Sequence, residues 1–172
     1  VYRTLGSSFL YKVASQEIVD LTGELHTLMS TDVGKLGTTY AEFQEGMQKY
    51  VSGKGYTYTT TSVFSWGKFS FDKYKQSVES GKPVALFLSG FAFRVGIEES
   101  TGRDVIHNDY CALTHVAVGC GYKRETYYNS SNKEISTRTY LKVASGLSGY
   151  DIGYLNMNGI GNIDRAISVE IK

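Results

Sequence analysis

Hydrophobic residues in the first part of the chain recur at the spacing of a helix. Up to residue 29 they fall at intervals near three and four, which is the period of one helix face. This stripe consists of Leu5, Phe9, Val13, Ile18, Leu21, Leu25 and Leu28. Gly6 and Gly23 interrupt it, and glycine weakens a helix, so the pattern predicts two helices rather than one.

A further helix is predicted after a glycine-rich loop. Thr39 and Glu42 have the spacing of a capping box, in which a hydroxyl and a carboxylate bind backbone N–H groups at the start of a helix. An apolar stripe follows, formed by Tyr40, Phe43, Met47 and Tyr50, and Gly53 is expected to end the helix. A shorter helix is predicted from Phe69 to Val78, before Gly81.

The polar and apolar pattern then changes to that of β-strands. Residues 56–63 alternate β-prone side chains and predict an edge strand. Apolar runs predict further strands at 84–88, 112–122, 135–143 and 166–171, with a hairpin tip at 129–133. Helices followed by antiparallel strands indicate an α+β fold, with one domain over 1–172, a helical part at about 1–80 and a sheet part at about 81–172.

Composition narrows the possible functions. With 41% hydrophobic and 20% charged residues, the chain is an ordinary folded protein. Its net charge of +1 gives no field suited to nucleic acid, and no apolar run approaches the roughly 20 residues of a spanning helix. Its 14 tyrosines and 19 glycines favour a secreted or cell-surface protein. No spacing of His, Cys and Asp resembles a zinc site, and no cofactor is expected.

Cysteines and histidines supply the candidate chemistry. Cys111 and Cys120 would lie about 25–30 Å apart on one extended strand, so free, buried thiols are expected. His26 falls within a predicted helix and His107 within a predicted loop, where core or solvated roles are usual. His115 stands at the entrance of the apolar run 112–122, and two interpretations remain open: a core histidine or a general base.

Three motifs in a fixed order add a family resemblance. They are Gly-Lys-Pro-Val-Ala-Leu-Phe-Leu-Ser-Gly at 81–90, Thr-His-Val-Ala-Val-Gly-Cys-Gly-Tyr at 114–122 and Tyr-Leu-Lys-Val-Ala-Ser-Gly at 140–146. Together with the helical segment at 25–40, they resemble the C39-like branch of papain-like cysteine peptidases. The resemblance implies a papain-like fold, in which a helical N-terminal half packs on a twisted antiparallel sheet.

The same resemblance implies a cysteine–histidine mechanism. In such enzymes a cysteine at a helix N-terminus attacks the peptide bond, and a histidine accepts and returns the proton. His115 takes the histidine position. The orienting residue should fall at Ala144 or Ser145, where only the Ser145 hydroxyl could act, and weakly; Asp151 is a poor substitute.

The nucleophile has no counterpart in this chain. No cysteine precedes Cys111, which is four residues from His115 and therefore about 13 Å away along an extended strand, too far for direct proton transfer. Because the chain begins at Val1, we expect that a removed N-terminal segment carries the cysteine. The protein would then be a peptidase that takes an extended peptide substrate between rim loops at 89–93 and 146–150.

Two other functions remain open at this stage. The domain can be a catalytically inactive papain-like module that binds a peptide or a surface partner. It can also be a different Cys–His enzyme, such as a transglutaminase-like acyl transferase. A cysteine encoded within about ten residues before Val1 would favour the peptidase.

Overall fold

The computed structural model describes residues 16–34, 37–95, 107–147, 150–157 and 162–172. Within them the fold is α+β with an antiparallel sheet, as predicted from the sequence. The described residues form three helices and a six-stranded sheet. The helices are α1 (Gln16–Leu28), α2 (Tyr40–Gly53) and α3 (Phe71–Glu79). The strands are β1 (Tyr58–Ser62), β2 (Phe64–Ser65), β3 (Lys68–Phe69), β4 (Val84–Val95), β5 (His107–Tyr128), β6 (Glu134–Leu147), β7 (Tyr150–Asn156) and β8 (Asn162–Ile171).

The chain divides into two compact units, each described here by itself. Unit 1 comprises Val1–Thr60 and Val169–Lys172, and unit 2 comprises Thr61–Ser168. The expectation of one domain over 1–172 stays a prediction.

The capping box of α2 in unit 1 is confirmed. The Thr39 backbone N–H donates to Glu42 Oε2 at 2.7 Å, and the Glu42 backbone N–H donates to Thr39 Oγ1 at 3.3 Å. Two N–H groups that lack a partner within the helix are thereby satisfied. The helix ends at Gly53, as its sequence predicts.

The core of unit 1 forms where α1 and α2 meet β-strand residues of the same unit. Its buried members are Tyr50, Val51, Tyr58, Val169 and Ile171, and Leu21, Leu25, Leu28 and Met47 pack against them. Gly46 allows the close approach of α2 to the end of α1, because a Cβ there would lie 3.0 Å from the backbone carbon of Leu28. The predicted helix residues Leu5, Phe9 and Val13 lie outside the described residues.

Tyr58 anchors a small polar network in this core. Its hydroxyl donates to Gln44 Oε1 at 2.6 Å, and Gln44 Nε2 donates to Thr60 Oγ1 at 3.2 Å. Burial, with a smaller contribution from Tyr40, raises the pKa of Tyr58 to about 12. The folded state therefore holds this proton more tightly than the unfolded state does.

We expect this shift to make the protein lose stability in alkali. The Tyr58 contribution is present below the unfolded pKa near 10 and is lost as the pH rises from about 10 to about 12. Urea unfolding at pH 8, 9.5 and 11, followed by circular dichroism, should show a steeper loss in the wild type than in Tyr58→Phe. Tyr56→Phe, which changes an exposed tyrosine, is the control and should retain the wild-type slope. Equal slopes for the wild type and Tyr58→Phe would contradict the expectation.

The six-stranded sheet has the order β1-β8-β4-β5-β6-β7, and β2 and β3 form a separate hairpin. The predicted edge position of β1 and the predicted hairpin tip between β5 and β6 are confirmed. In unit 2 the sheet also curls on itself, because Phe93 and Arg94 of β4 pair with Leu155 and Tyr154 of β7. The four strands β4, β5, β6 and β7 therefore close into a ring.

The core of unit 2 fills one face of these strands. Its buried members are Val63, Tyr74, Val84, Leu86, Leu88, Phe91, Ala117, Leu141, Val143, Leu155 and Ala166. Helix α3 contributes Tyr74, which is completely buried, with Phe71 and Val78 packed beside it. Ser70 caps this helix by accepting from the Lys73 backbone N–H.

Several strand predictions were wrong in extent. The segment Ser89–Phe93, predicted as a rim loop, continues β4. Gly90 adopts φ +53°, and the register with β5 shifts between Ser89 and Phe91, but the pairing with β5 resumes beyond this bulge. Gly146 belongs to β6 and Tyr150 opens β7, so the second predicted rim loop is also mostly strand. His107, predicted in a loop, pairs with Val95 as the first residue of β5.

Two elements were not predicted. Strand β7, which contains Asp151, has no counterpart among the strands predicted from the sequence. The β2–β3 hairpin turns at Trp66 and Gly67, both with positive φ. Each of its strands has two residues, too few for an alternating pattern to be visible.

Candidate functional site

The sequence had indicated that His115 stands at the entrance of a strand. In the structure it lies inside β5 instead. Strand β5 begins at His107, and its pairing with β4 continues on both sides of His115. Strand pairing on both sides of His115 therefore fixes the position of its backbone in the sheet.

The His115 ring lies at the margin of the unit 2 core. Its Cα partner on β4 is the buried Leu88, and cross-strand partners face the same side of a sheet. The imidazole centroid is 5.8 Å from that of the Phe91 ring, with 34° between the planes. The residue is half-buried, so the ring combines apolar packing with access to solvent.

The Gly-x-Gly motif that follows His115 receives a structural explanation. The β5–β6 register shifts between Gly119 and Gly121, which leaves ladder carbonyls without their regular partners. The Tyr74 hydroxyl lies 2.7 Å from the Gly121 carbonyl oxygen and 3.2 Å from that of Lys142. Gly119 leaves room for the Tyr74 ring, because a Cβ at this position would lie 2.5 Å from Tyr74 Cε2.

The structure describes the side chain of Cys120 and the backbone of Cys111. Cys120 is a free thiol, as predicted, and its Sγ lies 3.5 Å from the Lys142 carbonyl oxygen. The backbone of Cys111 pairs with Phe91 on β4, and its side chain lies outside the described residues.

The expected orienting positions lie further along the sheet. Ala144 pairs with Val118 of β5 on one side and with Ile152 of β7 on the other, so it lies opposite a residue three positions beyond His115. Ser145 belongs to β6 and Asp151 to β7, but both side chains lie outside the described residues. Leu88 and Phe91 are two of the described residues that lie beside His115.

No protein-family model, curated protein or solved structure matches the chain. The resemblance to C39-like peptidases accordingly depends on the three sequence motifs and the helical segment at 25–40. Among the described residues, no group of three or more His, Cys, Asp or Glu side chains converges as a metal site would. No helix in the described ranges is long and apolar enough to cross a membrane.

Sequence reasoning missed the role of Tyr74 at this site. Its position in the apolar stripe of α3 indicated burial, but its two hydrogen-bond partners lie 47 and 68 residues further along the chain. A hydroxyl on an otherwise apolar helix face was the available signal, since buried tyrosines usually have a hydrogen-bond partner.

Proposed function

We propose that this protein is a papain-like domain of the C39-like type that binds an extended peptide without hydrolysing it. The observation that carries the proposal is the separation of thiol and imidazole among the described side chains. The Cys120 thiol contacts the Lys142 carbonyl oxygen, whereas the His115 ring packs on Phe91. Five residues of extended strand span about 16 Å, far beyond the reach of a proton transfer.

The surroundings of His115 support binding. A partly exposed imidazole and the edge of an apolar core lie side by side, which suits a ligand with both polar and apolar groups. The peptide is proposed as the ligand because the three motifs resemble those of proteins that take extended peptides. A closed ring of antiparallel strands is also compatible with the sheet half of such a domain.

The second candidate is a C39-like cysteine peptidase whose nucleophile lies outside the described side chains. The observation in its favour is the partial exposure of His115, because a general base must reach the proton that it removes. A fully enclosed imidazole would argue against this role.

A hydrolysis assay separates the non-catalytic proposal from a peptidase that uses Cys111 as its nucleophile. We expect the 172-residue chain to leave fluorescently labelled casein intact, and His115→Ala and Cys120→Ser to behave in the same way. Turnover by the wild type that is lost in both His115→Ala and Cys111→Ala would overturn the non-catalytic proposal and assign Cys111 as the nucleophile. Cys120→Ser is the matched control, since it changes the other thiol.

Binding is tested separately by NMR titration with tryptic peptides of casein. Under the proposal, the backbone amides of Leu88, Phe91 and His115 shift on addition of peptide, and the shifts are lost in His115→Ala. A titration in which these amides do not move would contradict peptide binding at this site. If only the backbone amides of Phe91 and Leu88 shift, the apolar edge is the binding surface and His115 is not part of it.

A further inference from the structure

The β5–β6 hairpin extends beyond the strands that flank it. Pairing of β4 with β5 runs no further than Gly119, and pairing of β7 with β6 begins at Tyr140. Residues 123–138, named here the arm, form a two-stranded ribbon whose two edges have no further strand partner in the described register. Unpaired strand edges are templates for the addition of another strand.

Side-chain contacts across and along its strands stiffen the arm. The hydroxyls of Thr126 and Thr137 lie 3.2 Å apart on one face. On the other face, Glu125 lies 3.0 Å from Lys123 Nζ and accepts from the Tyr127 hydroxyl at 2.9 Å. A ribbon that is already ordered loses less conformational freedom when a partner binds.

The tip of the arm is also ordered. Asn129 Oδ1 accepts from the backbone N–H groups of Ser131 and Lys133 at 3.0 and 2.9 Å. Asn132 adopts φ +57°, a conformation that asparagine tolerates better than most residues do. The Asn129 side chain thus supplies the acceptor for two backbone N–H groups of the turn.

Exposed apolar and aromatic groups concentrate near this tip. Tyr127, Tyr128 and Ile135 are 39%, 56% and 63% exposed. Tyrosine is among the residues that contribute most at protein interfaces. Tyr127 and Tyr128 lie on opposite faces of the ribbon, so each face presents an exposed aromatic ring to a strand added at its edge.

The arm carries more positive charge than the chain as a whole. It contains four basic residues and two acidic ones, a net charge of +2 against +1 for all 172 residues. The basic residues are Lys123, Arg124, Lys133 and Arg138, and the acidic residues are Glu125 and Glu134. Glu125 is engaged by Lys123, whereas Arg124 is exposed on the face that also carries Tyr128.

We propose that the β5 edge of the arm binds an acidic segment of a partner protein, which adds as a third strand in extended conformation. Carboxylates of the segment face Arg124, and its apolar side chains, which alternate with them, lie on the opposite face of the ribbon against Tyr127. Backbone hydrogen bonds supply affinity, and the alternating side chains supply specificity. The arm does not include His115, so this proposal does not depend on the function proposed above.

Fluorescence anisotropy of the full chain with labelled decapeptides tests the proposal. The probes are (Glu-Val)5, (Ser-Val)5 and (Lys-Val)5. We expect (Glu-Val)5 to bind at least about tenfold more tightly than (Ser-Val)5, (Lys-Val)5 to bind most weakly, and the affinity for (Glu-Val)5 to fall with added salt. Arg124→Glu should weaken (Glu-Val)5 binding about tenfold or more, and Tyr127→Ser, on the face that receives the valines, should weaken it without removing the salt dependence.

Arg165→Glu is the matched control, because it reverses an exposed arginine on β8 and should leave peptide affinity unchanged. Circular dichroism melts establish that each variant is folded. Equal binding of the three peptides, no binding up to about 1 mM, or an Arg124→Glu variant that binds like the wild type would overturn the proposal. Tighter binding of single-stranded DNA, or a dimer in sedimentation that Arg124→Glu dissociates, would assign the arm to nucleic acid or to a second copy instead.

Discussion

Replacement of Tyr74 by alanine is expected to lower the free energy of unfolding by about 3–5 kcal/mol, the range for deleting a large buried aromatic side chain. The Tyr74 side chain is completely buried, and its ring centroid lies 5.8 Å from that of Phe69 and 6.4 Å from that of Phe71. Alanine would remove these contacts and leave a cavity between α3 and the sheet. Urea unfolding followed by circular dichroism measures the change.

Tyr74→Phe separates the hydroxyl from the ring. This variant keeps the aromatic packing but leaves the Gly121 and Lys142 carbonyl oxygens without the hydroxyl, at a cost of about 1–3 kcal/mol. Tyr128→Phe, at an exposed tyrosine, is the control and should change stability by less than about 0.5 kcal/mol. If Tyr74→Phe were as stable as the wild type, water would have to satisfy the two carbonyls, and the role assigned to the hydroxyl would be wrong.

Substitution of Gly119 by alanine is the second large expected effect. The added methyl group would lie 2.5 Å from Tyr74 Cε2 and 2.7 Å from its hydroxyl oxygen, so the buried ring or strand β5 must move. Overpacking of this kind destabilises proteins by about 1–3 kcal/mol. The expected result is a lower urea midpoint with an unchanged dependence of stability on urea concentration.

Gly121→Ala is the matched control within the same motif. A Cβ at Gly121 would meet the Lys142 side chain at 3.6 Å, an ordinary contact, so we expect a change of less than about 1 kcal/mol. Equal losses for the two variants would contradict the assignment, because the motif would then require glycine for backbone reasons and not for Tyr74. In a Tyr74→Ala background, Gly119→Ala should lose most of its effect, since the atoms that clash are gone.

Tyr74 and Gly119 both stabilise strand β5, which carries the candidate site residue His115. Gly119 and His115 lie on the same face of β5, and their β4 partners, Val84 and Leu88, are both buried. Tyr74 holds the strand where its ladder with β6 is interrupted. The glycines of the His-to-Tyr motif are therefore explained by packing and hydrogen bonding, independently of any catalytic role for His115.

Features that depend on residues close together in the chain were predicted correctly, whereas features that depend on residues far apart were not. The capping box of Thr39 and Glu42 and the hairpin tip at 129–133 depend on residues a few positions apart, and both were predicted correctly. The extent of β4 was wrong, because Gly90 resembled a turn and only pairing with β5 and β7 keeps the strand extended beyond it. Strand β7 was missed for the same reason, since its partners on β6 and β4 are distant in sequence.

By itself, the sequence determined the α+β class, the start of α2, most strand positions and the candidacy of His115, because local periodicity and capping encode these features. Only the tertiary structure decided that His115 lies inside a paired strand against Phe91, that Cys120 contacts the Lys142 carbonyl oxygen and that β4 to β7 close into a ring. Those features depend on register and packing between residues far apart in the chain. Such contacts form only when several strands assemble together, and no local pattern records them.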